Sequence, residues 1–107
     1  MSRREPLVAK TIPGSRSFRG RPVDLVIDVR SKIEYWLGHL DGATCIPVDV
    51  VVQRLGERAD VEPGMRIMVY CASGARSAAA ATALRARGFR HVTDAGAIAA
   101  AAPEYKS

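Results

Sequence analysis

Apolar side chains cluster along the chain in segments that predict strands. Residues 23–29 and 66–70 are nearly continuous apolar runs rich in β-branched side chains, the pattern of strands that are buried on both faces of a parallel sheet. Residues 43–46 and 90–93 predict two further, shorter strands. We therefore expect four strands, with the two longest runs in the middle of the sheet.

A helix is predicted after each of these strands. The expected helices cover residues 31–37, 49–56, 77–87 and 97–102. Ser31 and Glu34 form the S-x-x-E pattern of a capping box at the start of the first helix, and Asp49 is the expected N-cap of the second. Gly88 ends the third helix, which is rich in alanine and can pack closely on the sheet. Residues 94–96 are expected to form a turn.

The predicted order of elements is β-α-β-α-β-α-β-α. Strands that alternate with helices at this spacing indicate a three-layer α/β/α domain with a mainly parallel central sheet and right-handed crossovers. Ligands of such sheets bind beyond the carboxyl ends of the strands. Candidate chemistry is therefore sought at that edge.

Length and charge limit the classes of protein that remain. A chain of 107 residues has room for one core, and none of its apolar runs approaches the ~20 residues of a membrane span. Residues 1–21 hold six basic side chains and one acidic one, which accounts for the whole net charge of +5. We expect residues 1–21 to be a basic, flexible segment, residues 22–102 to be the domain, and residues 103–107 to be a short tail.

The basic segment has two interpretations. A solvated tail is the simpler one, and an arm that binds RNA, a membrane or a partner protein is the alternative. The segment lacks the apolar stretch of a secretory signal, so a cytoplasmic protein is expected. For the domain itself we expect neither a nucleic acid nor a membrane as partner.

The chain has two cysteines and two histidines, none at the spacing of a metal site. No two of the residues His39, Cys45, Cys71 and His91 have the spacing of a CxxC, CxxH or HxxxH pattern. Neither a metal nor another cofactor is therefore expected. A disulfide is not expected either, because cytoplasmic thiols stay reduced. The two thiols are therefore considered separately.

One cysteine occupies a position that favours reactivity. Cys71 directly follows the strand of residues 66–70, and a short loop with Gly74 leads from it into the alanine-rich helix. The backbone N–H groups of such a loop, together with the helix N-terminus, form an anion-binding nest. This environment lowers the pKa of a thiol and makes it a nucleophile at neutral pH. A buried, inert cysteine at a strand end is the alternative.

The motifs of this chain resemble those of single-domain rhodaneses. The matching segments, spread over residues 24–102, are Asp28-Val29-Arg30, Glu34-Tyr35, Gly38 to Ala43, Ile46-Pro47, Val69-Tyr70-Cys71, Ser73-Gly74 and Arg76-Ser77. The resemblance implies the rhodanese fold and a sulfurtransferase in which Cys71 carries a persulfide. The implied donor is a small sulfane compound such as thiosulfate, and the implied acceptor is cyanide, a thiol or an acceptor protein.

The resemblance also implies roles for the residues around Cys71. The backbone of the substrate loop, formed by Ala72, Ser73, Gly74, Ala75 and Arg76, would hold the anionic sulfur. Asp28 is expected to anchor this loop by pairing with Arg76, and Arg30 to lie near the mouth of the site. His39 is expected to form a structural hydrogen bond.

Three positions depart from the usual pattern of the family. Ala72 carries no charge where active relatives often have a basic or amide side chain, which favours weak binding of an anionic donor. Cys45 replaces an asparagine and is interpreted as a packing residue, with a resolving thiol as the alternative. Residues 94–98 replace the usual Gly-Gly turn.

Two other functions compete with turnover of a sulfur donor. A persulfide carrier, or a rhodanese-like interaction module, would use the same fold without turnover. A phosphatase or arsenate reductase would use a Cys-x5-Arg loop, whereas Cys71 and Arg76 form the shorter Cys-x4-Arg, and Tyr70 stands where those phosphatases usually have histidine. A papain-like hydrolase is disfavoured because neither histidine is placed to act on Cys71.

Overall fold

The computed structural model of the protein describes residues 16–107. The eight expected elements are present in the expected order. They are β3 (Leu25–Asp28), α1 (Lys32–Trp36), β4 (Thr44–Cys45), α2 (Val51–Gly56), β5 (Arg66–Cys71), α3 (Ala75–Arg87), β6 (His91–Ala97) and α4 (Ile98–Ala101). A 3₁₀ turn (Ala102–Glu104) continues α4.

The central sheet is parallel throughout and has the strand order β4-β3-β5-β6. The two long apolar runs form its middle strands, because only there is a strand covered by neighbours at both edges. Asp28 pairs in register with Cys45 on one side and with Tyr70 on the other. This register determines which side chains share a face of the sheet near the site.

Helices cover both faces of the sheet, as the three-layer prediction requires. One face packs against α2 and α3, with Leu55 and Leu84 among its buried side chains. The other packs against α1 and α4, with Met68, Tyr70 and Ala101 in its core. None of the helices within residues 16–107 is both long enough and apolar enough to cross a membrane.

A second, antiparallel sheet joins the two ends of the described chain. Its strands are β1 (Ser17–Phe18), β2 (Arg21–Pro22) and β7 (Tyr105–Lys106), in the order β2-β1-β7. Phe18 is buried and belongs to the same core cluster as Ala101 of α4. Residues 17–21 and 105–106, which were expected in the terminal segments, therefore contribute to this second sheet. The rest of the basic segment, residues 1–15, lies outside the described residues.

Two local predictions were wrong. Asp49 does not cap α2; the N-cap is Val50, and no side chain hydrogen-bonds to this helix start. The turn expected at residues 94–96 lies inside β6, where the pairing with β5 shifts so that Val69 faces Asp94 and Tyr70 faces Gly96. The extra residue is accommodated as a bulge, because Gly96 adopts φ +76° and its N–H donates to the Asp94 carboxylate at 3.0 Å.

Candidate active site

Cys71 is the last residue of β5 and lies at the carboxyl edge of the sheet. Its side chain has no exposed surface, whereas the loop residues Ala72 and Ser73 above it are exposed. Gly74 turns the chain into α3 with φ +106°, a conformation that favours glycine. The helix begins at Ala75, two residues earlier than predicted, so the loop between strand and helix is only three residues long.

Backbone N–H groups surround the sulfur of Cys71. Its Sγ accepts hydrogen bonds from the N–H of Gly74 at 3.0 Å and from the N–H of Ser77 at 3.3 Å. The Ser77 hydroxyl lies 3.5 Å from Sγ and donates to the Gly74 carbonyl at 3.1 Å. The thirteen-residue helix α3 adds the positive end of its dipole at the same point. The loop thus presents a preformed nest of donors around one sulfur atom.

The hydrogen bonds of this nest outweigh the effect of burial on the pKa of Cys71. Burial raises the pKa of Cys71, but the contact with the Ser77 side chain and the hydrogen bonds from the N–H groups of Ser77, Gly74 and Ser73 lower it by more. The net pKa lies below the ordinary value of a cysteine. The fraction of thiolate, which is the nucleophilic form, is therefore larger than in an ordinary cysteine.

Arg76 pairs with a residue whose second role was not predicted. Its guanidinium donates to both carboxylate oxygens of Glu34, at 2.7 and 2.9 Å. The same carboxylate closes the capping box with Ser31, as expected. Hydrogen bonds from Arg76 and then from Ser31 lower the pKa of Glu34 to about 2. Glu34 therefore ties the first turn of α3 to α1, which is a role that the capping-box pattern concealed.

The expected pairing of Asp28 with Arg76 was wrong. Asp28 is fully buried and instead accepts from Arg30, with Nη2 at 2.7 Å and Nε at 2.9 Å. Arg30 is also buried rather than exposed at the mouth; its Nη2 donates to the Gly38 carbonyl at 2.6 Å, and its guanidinium lies over the Tyr70 ring. The register explains the outcome, because Asp28 is level with Tyr70 and shares its face, not that of Cys71.

The two cysteines lie on opposite faces of the sheet. Cys45 is level with Asp28 and Tyr70, so its side chain is on their face, whereas Cys71 belongs to the core on the other side. Both thiols are free. Cys45 is half-buried and donates only a weak hydrogen bond to the Arg30 carbonyl, at 3.6 Å. This arrangement supports a packing role and opposes the alternative of a resolving thiol.

His39 forms the structural contacts expected of it. Its ring stacks on Tyr35 with centroids 3.7 Å apart, and Nδ1 donates to the Tyr35 carbonyl at 2.8 Å. Within residues 16–107, no three metal-ligating side chains form a cluster.

The helix tied to Arg76 presents apolar side chains to solvent. None of the residues of α1 is buried. Ile33 and Trp36 are 75% and 84% exposed, and Leu37, the C-cap residue directly after the helix, is 84% exposed. An apolar surface therefore lies on the element that Glu34 joins to the thiol loop.

A family model described as "Rhodanese-like domain" matches residues 15–95, a segment that includes the whole thiol loop. The chain belongs to the rhodanese-like family. The parallel sheet with helices on both faces agrees with this assignment.

Solved structures of the rhodanese family superpose on the chain. A rhodanese with anions from E. coli is 32% identical, with a TM-score of 0.69 over 78% of this chain and 98% of that one. The rhodanese-like domain of an Anabaena protein is 33% identical, with a TM-score of 0.66 over 77% of this chain and 61% of that one. A human single-domain sulfurtransferase, 23% identical, shares the fold with a TM-score of 0.62 over 71% of this chain and 74% of that one.

Curated relatives that match the rhodanese-like chain are much longer than it is. The tRNA uridine(34) hydroxylases of Sodalis glossinidius and Erwinia tasmaniensis are 34% and 31% identical over 74 residues, or 66% of this chain. The matched segment is 21% of each hydroxylase. The chain therefore spans about a fifth of the length of these relatives.

Proposed function

We propose that the protein is a sulfurtransferase that carries sulfane sulfur on Cys71. The observation that carries this proposal is the Cys71 sulfur, held by the N–H groups of Gly74 and Ser77 at the start of α3. Thiosulfate is the proposed donor, and a thiol or cyanide is the proposed acceptor. A compartment in which thiols stay reduced, such as the cytoplasm, suits this chemistry.

Two displacements at sulfur complete the proposed cycle. The Cys71 thiolate attacks the outer sulfur of thiosulfate, so that a new S–S bond forms while the old one breaks and sulfite leaves with its electron pair. The acceptor then attacks the outer sulfur of the persulfide. Cyanide leaves as thiocyanate, or a thiolate leaves as a persulfide, and the Cys71 thiolate is restored. No oxidant, reductant or external base is consumed.

The loop suits an anionic outer sulfur more than a neutral one. A persulfide extends about 2 Å beyond Sγ, the length of an S–S bond, and its terminal sulfur is negative at neutral pH. The N–H groups that converge on Sγ, together with the dipole of α3, stabilise that charge as it forms. The complete burial of Cys71 favours a small donor, because a small molecule needs less displacement of the exposed loop.

In this proposal Arg76 positions the start of α3 and does not bind the sulfur donor. Both arms of its guanidinium are engaged by Glu34, so its structural role is to hold the start of α3, while its charge lies close enough to interact with Cys71. Asp28 and Arg30 form a separate buried brace behind Tyr70. We therefore assign the chemistry to Cys71 and the loop, and a supporting role to these three residues.

A persulfide carrier is the second candidate. Two observations favour it. Ala72 adds no charge to attract an anionic donor, and Ile33, Trp36 and Leu37 are exposed on or directly after α1, the helix that Glu34 joins to Arg76. Such a surface fits an acceptor protein that docks on α1 and takes the sulfur from Cys71. A carrier would load once and discharge only on that protein.

The geometry gives less support to the other candidates. A phosphatase needs its loop arginine free to hold a phosphate, whereas Arg76 is bound in a bidentate pair with Glu34. Hydroxylation is the activity named for relatives of which this chain matches only 21%, and nothing in the Cys71 loop supports that chemistry.

Sulfite and thiocyanate release test the proposal directly. Purified protein is mixed with thiosulfate alone and then with thiosulfate and cyanide, with C71S as the control. Continuous thiocyanate production establishes the sulfurtransferase. One equivalent of sulfite per chain, with no further turnover, indicates the carrier. Equal activity in C71S would contradict both.

A further inference from the structure

A cavity lies at the opposite end of the sheet from Cys71. It has a volume of about 620 Å³ and is lined by residues of the β1–β2 hairpin and by the first residues of β5 and β6. Arg66 and Cys71 are the two ends of β5, which places the cavity about 17 Å from the thiol at ~3.3 Å per residue. We call this cavity the arginine pocket, because Arg19, Arg21, Arg66 and Arg90 line it.

Two of these arginines are already paired. Arg66 forms a bidentate pair with Asp24, with N···O distances of 3.0 and 3.1 Å. Arg19 donates to Glu104 at 3.1 Å. In each pair, the carboxylate holds the guanidinium group at the pocket wall and offsets its positive charge.

The other two arginines have no counter-ion within residues 16–107. The side chains of Arg21 and Arg90 make no hydrogen bond or ion pair with any described residue, although both line the same cavity. Two like charges on one cavity repel each other, and a bound anion with several charges removes that repulsion. Arginine forks match phosphate oxygens in particular, because they donate two parallel hydrogen bonds. His91 lines the pocket as well and adds a ring donor.

Apart from Thr93, the remaining wall of the pocket is apolar. Phe18, Val23 and Val92, all at the edge of the core, contribute to it together with Pro22. A cavity of this volume falls within the ~300–1,000 Å³ typical of small-molecule sites. A ligand with phosphates on one side and an apolar or aromatic group on the other satisfies both parts of the wall.

We propose that the arginine pocket binds a free organic phosphate of nucleotide size. Its phosphates lie between Arg21 and Arg90, and its apolar part lies against Phe18 and Val92. The site is separate from the sulfur-transfer loop, and nothing in the proposed function of Cys71 requires it.

Titration followed by amide NMR shifts tests this proposal. Adenosine diphosphate serves as the probe, because it joins phosphates to an aromatic group, and pyrophosphate serves as the comparison without that group. We expect saturable shifts at Arg21, His91 and Val92, no comparable shifts at residues 72–76, and tighter binding of adenosine diphosphate than of pyrophosphate.

Matched charge variants decide whether Arg21 and Arg90 hold the ligand. R21A/R90A is expected to raise the Kd for adenosine diphosphate at least about tenfold, since it removes two charge-assisted contacts. R54A/R87A removes the same charge from exposed positions outside the pocket and is expected to change the Kd less than about twofold. Sulfur transfer should be unchanged in both double variants.

Several results would overturn the proposal. These are the absence of saturation, shifts confined to residues 72–76, equal weakening in the two double variants, and saturation by a short single-stranded oligonucleotide but not by adenosine diphosphate. If R21A/R90A does not fold, the shift map of the unmodified protein decides the question alone.

Discussion

Cys71 and Cys45 lie near the same edge of one sheet and differ in almost every property that controls a thiol. Cys71 has no exposed surface, yet its pKa is lowered, because the hydrogen bonds that its sulfur accepts outweigh burial. Cys45 is more exposed, yet its pKa is raised, first by partial burial and then by the Asp28 carboxylate. Donors around the sulfur, more than exposure, therefore separate the two thiols.

The alternation of side chains along a strand produces this difference. Cys45 shares a face with Asp28, while Cys71 lies on the opposite face, where the loop and α3 begin. A sulfur on the Asp28 face meets a carboxylate and a carbonyl. A sulfur on the other face meets three N–H groups.

The largest expected effect concerns sulfur transfer itself. C71S removes the only thiol that the nest activates, so we expect sulfur transfer from thiosulfate to fall at least about a thousandfold, on the scale of lost nucleophiles. C45S should retain activity within about twofold of the unmodified protein. Thiocyanate production under identical conditions measures both. Equal losses in the two variants would contradict the separation of the thiols.

A second prediction concerns the buried brace on the Cys45 face. D28N leaves Arg30 buried without its counter-ion, so the free energy of unfolding should fall by about 3–5 kcal/mol. E104Q, in an exposed pair with Arg19, should cost less than about 1 kcal/mol. Urea unfolding measures both values. A loss in D28N no larger than that in E104Q would show that the brace is not needed for stability.

The third prediction uses pH to separate the two thiols. The pKa of Cys71 lies below the ordinary cysteine value and that of Cys45 above it, so Cys45 loses its thiolate first as the pH falls. The ratio of the alkylation rates, Cys71 over Cys45, should therefore rise as the pH falls from about 9 to 7. Iodoacetamide labelling followed by peptide mass spectrometry gives both rates. A ratio that does not change with pH would contradict the opposite shifts.

The smallest expected effect concerns the tie between α1 and α3. R76A frees the start of α3 from Glu34, and since both side chains are about a third exposed, we expect persulfide formation to slow about threefold to tenfold. R58A removes a comparable pair with Asp60 away from the loop and should leave the rate unchanged. Rapid-mixing measurements of sulfite release compare them. Equal rates for R76A and the unmodified protein would remove Arg76 from the supporting residues.

The sequence was sufficient for the order of the main elements and for the position of Cys71. Long β-branched runs identify the central strands, because only buried strands need them, and the capping box at Ser31 marks a helix start through local hydrogen bonds alone. The resemblance to rhodaneses added the chemistry of the thiol.

The features that the sequence did not reveal depend on contacts between distant residues. The partner of Asp28 follows from the register of three strands, and β1 and β7 are two-residue strands that pair Ser17 with Lys106 across nearly the whole chain. Glu34 had an adequate local explanation in the capping box, which gave no reason to seek its contact with Arg76. Such contacts require the tertiary structure.

Mass spectrometry of the protein after exposure to thiosulfate tests the central claim most directly. Under non-reducing conditions, the account predicts a mass increase of about 32 Da, one sulfur atom. Peptide mapping should place it on Cys71 and not on Cys45, and cyanide should remove it. An adduct on Cys45, or none on a Cys71 that alkylating agents still modify, would contradict the account.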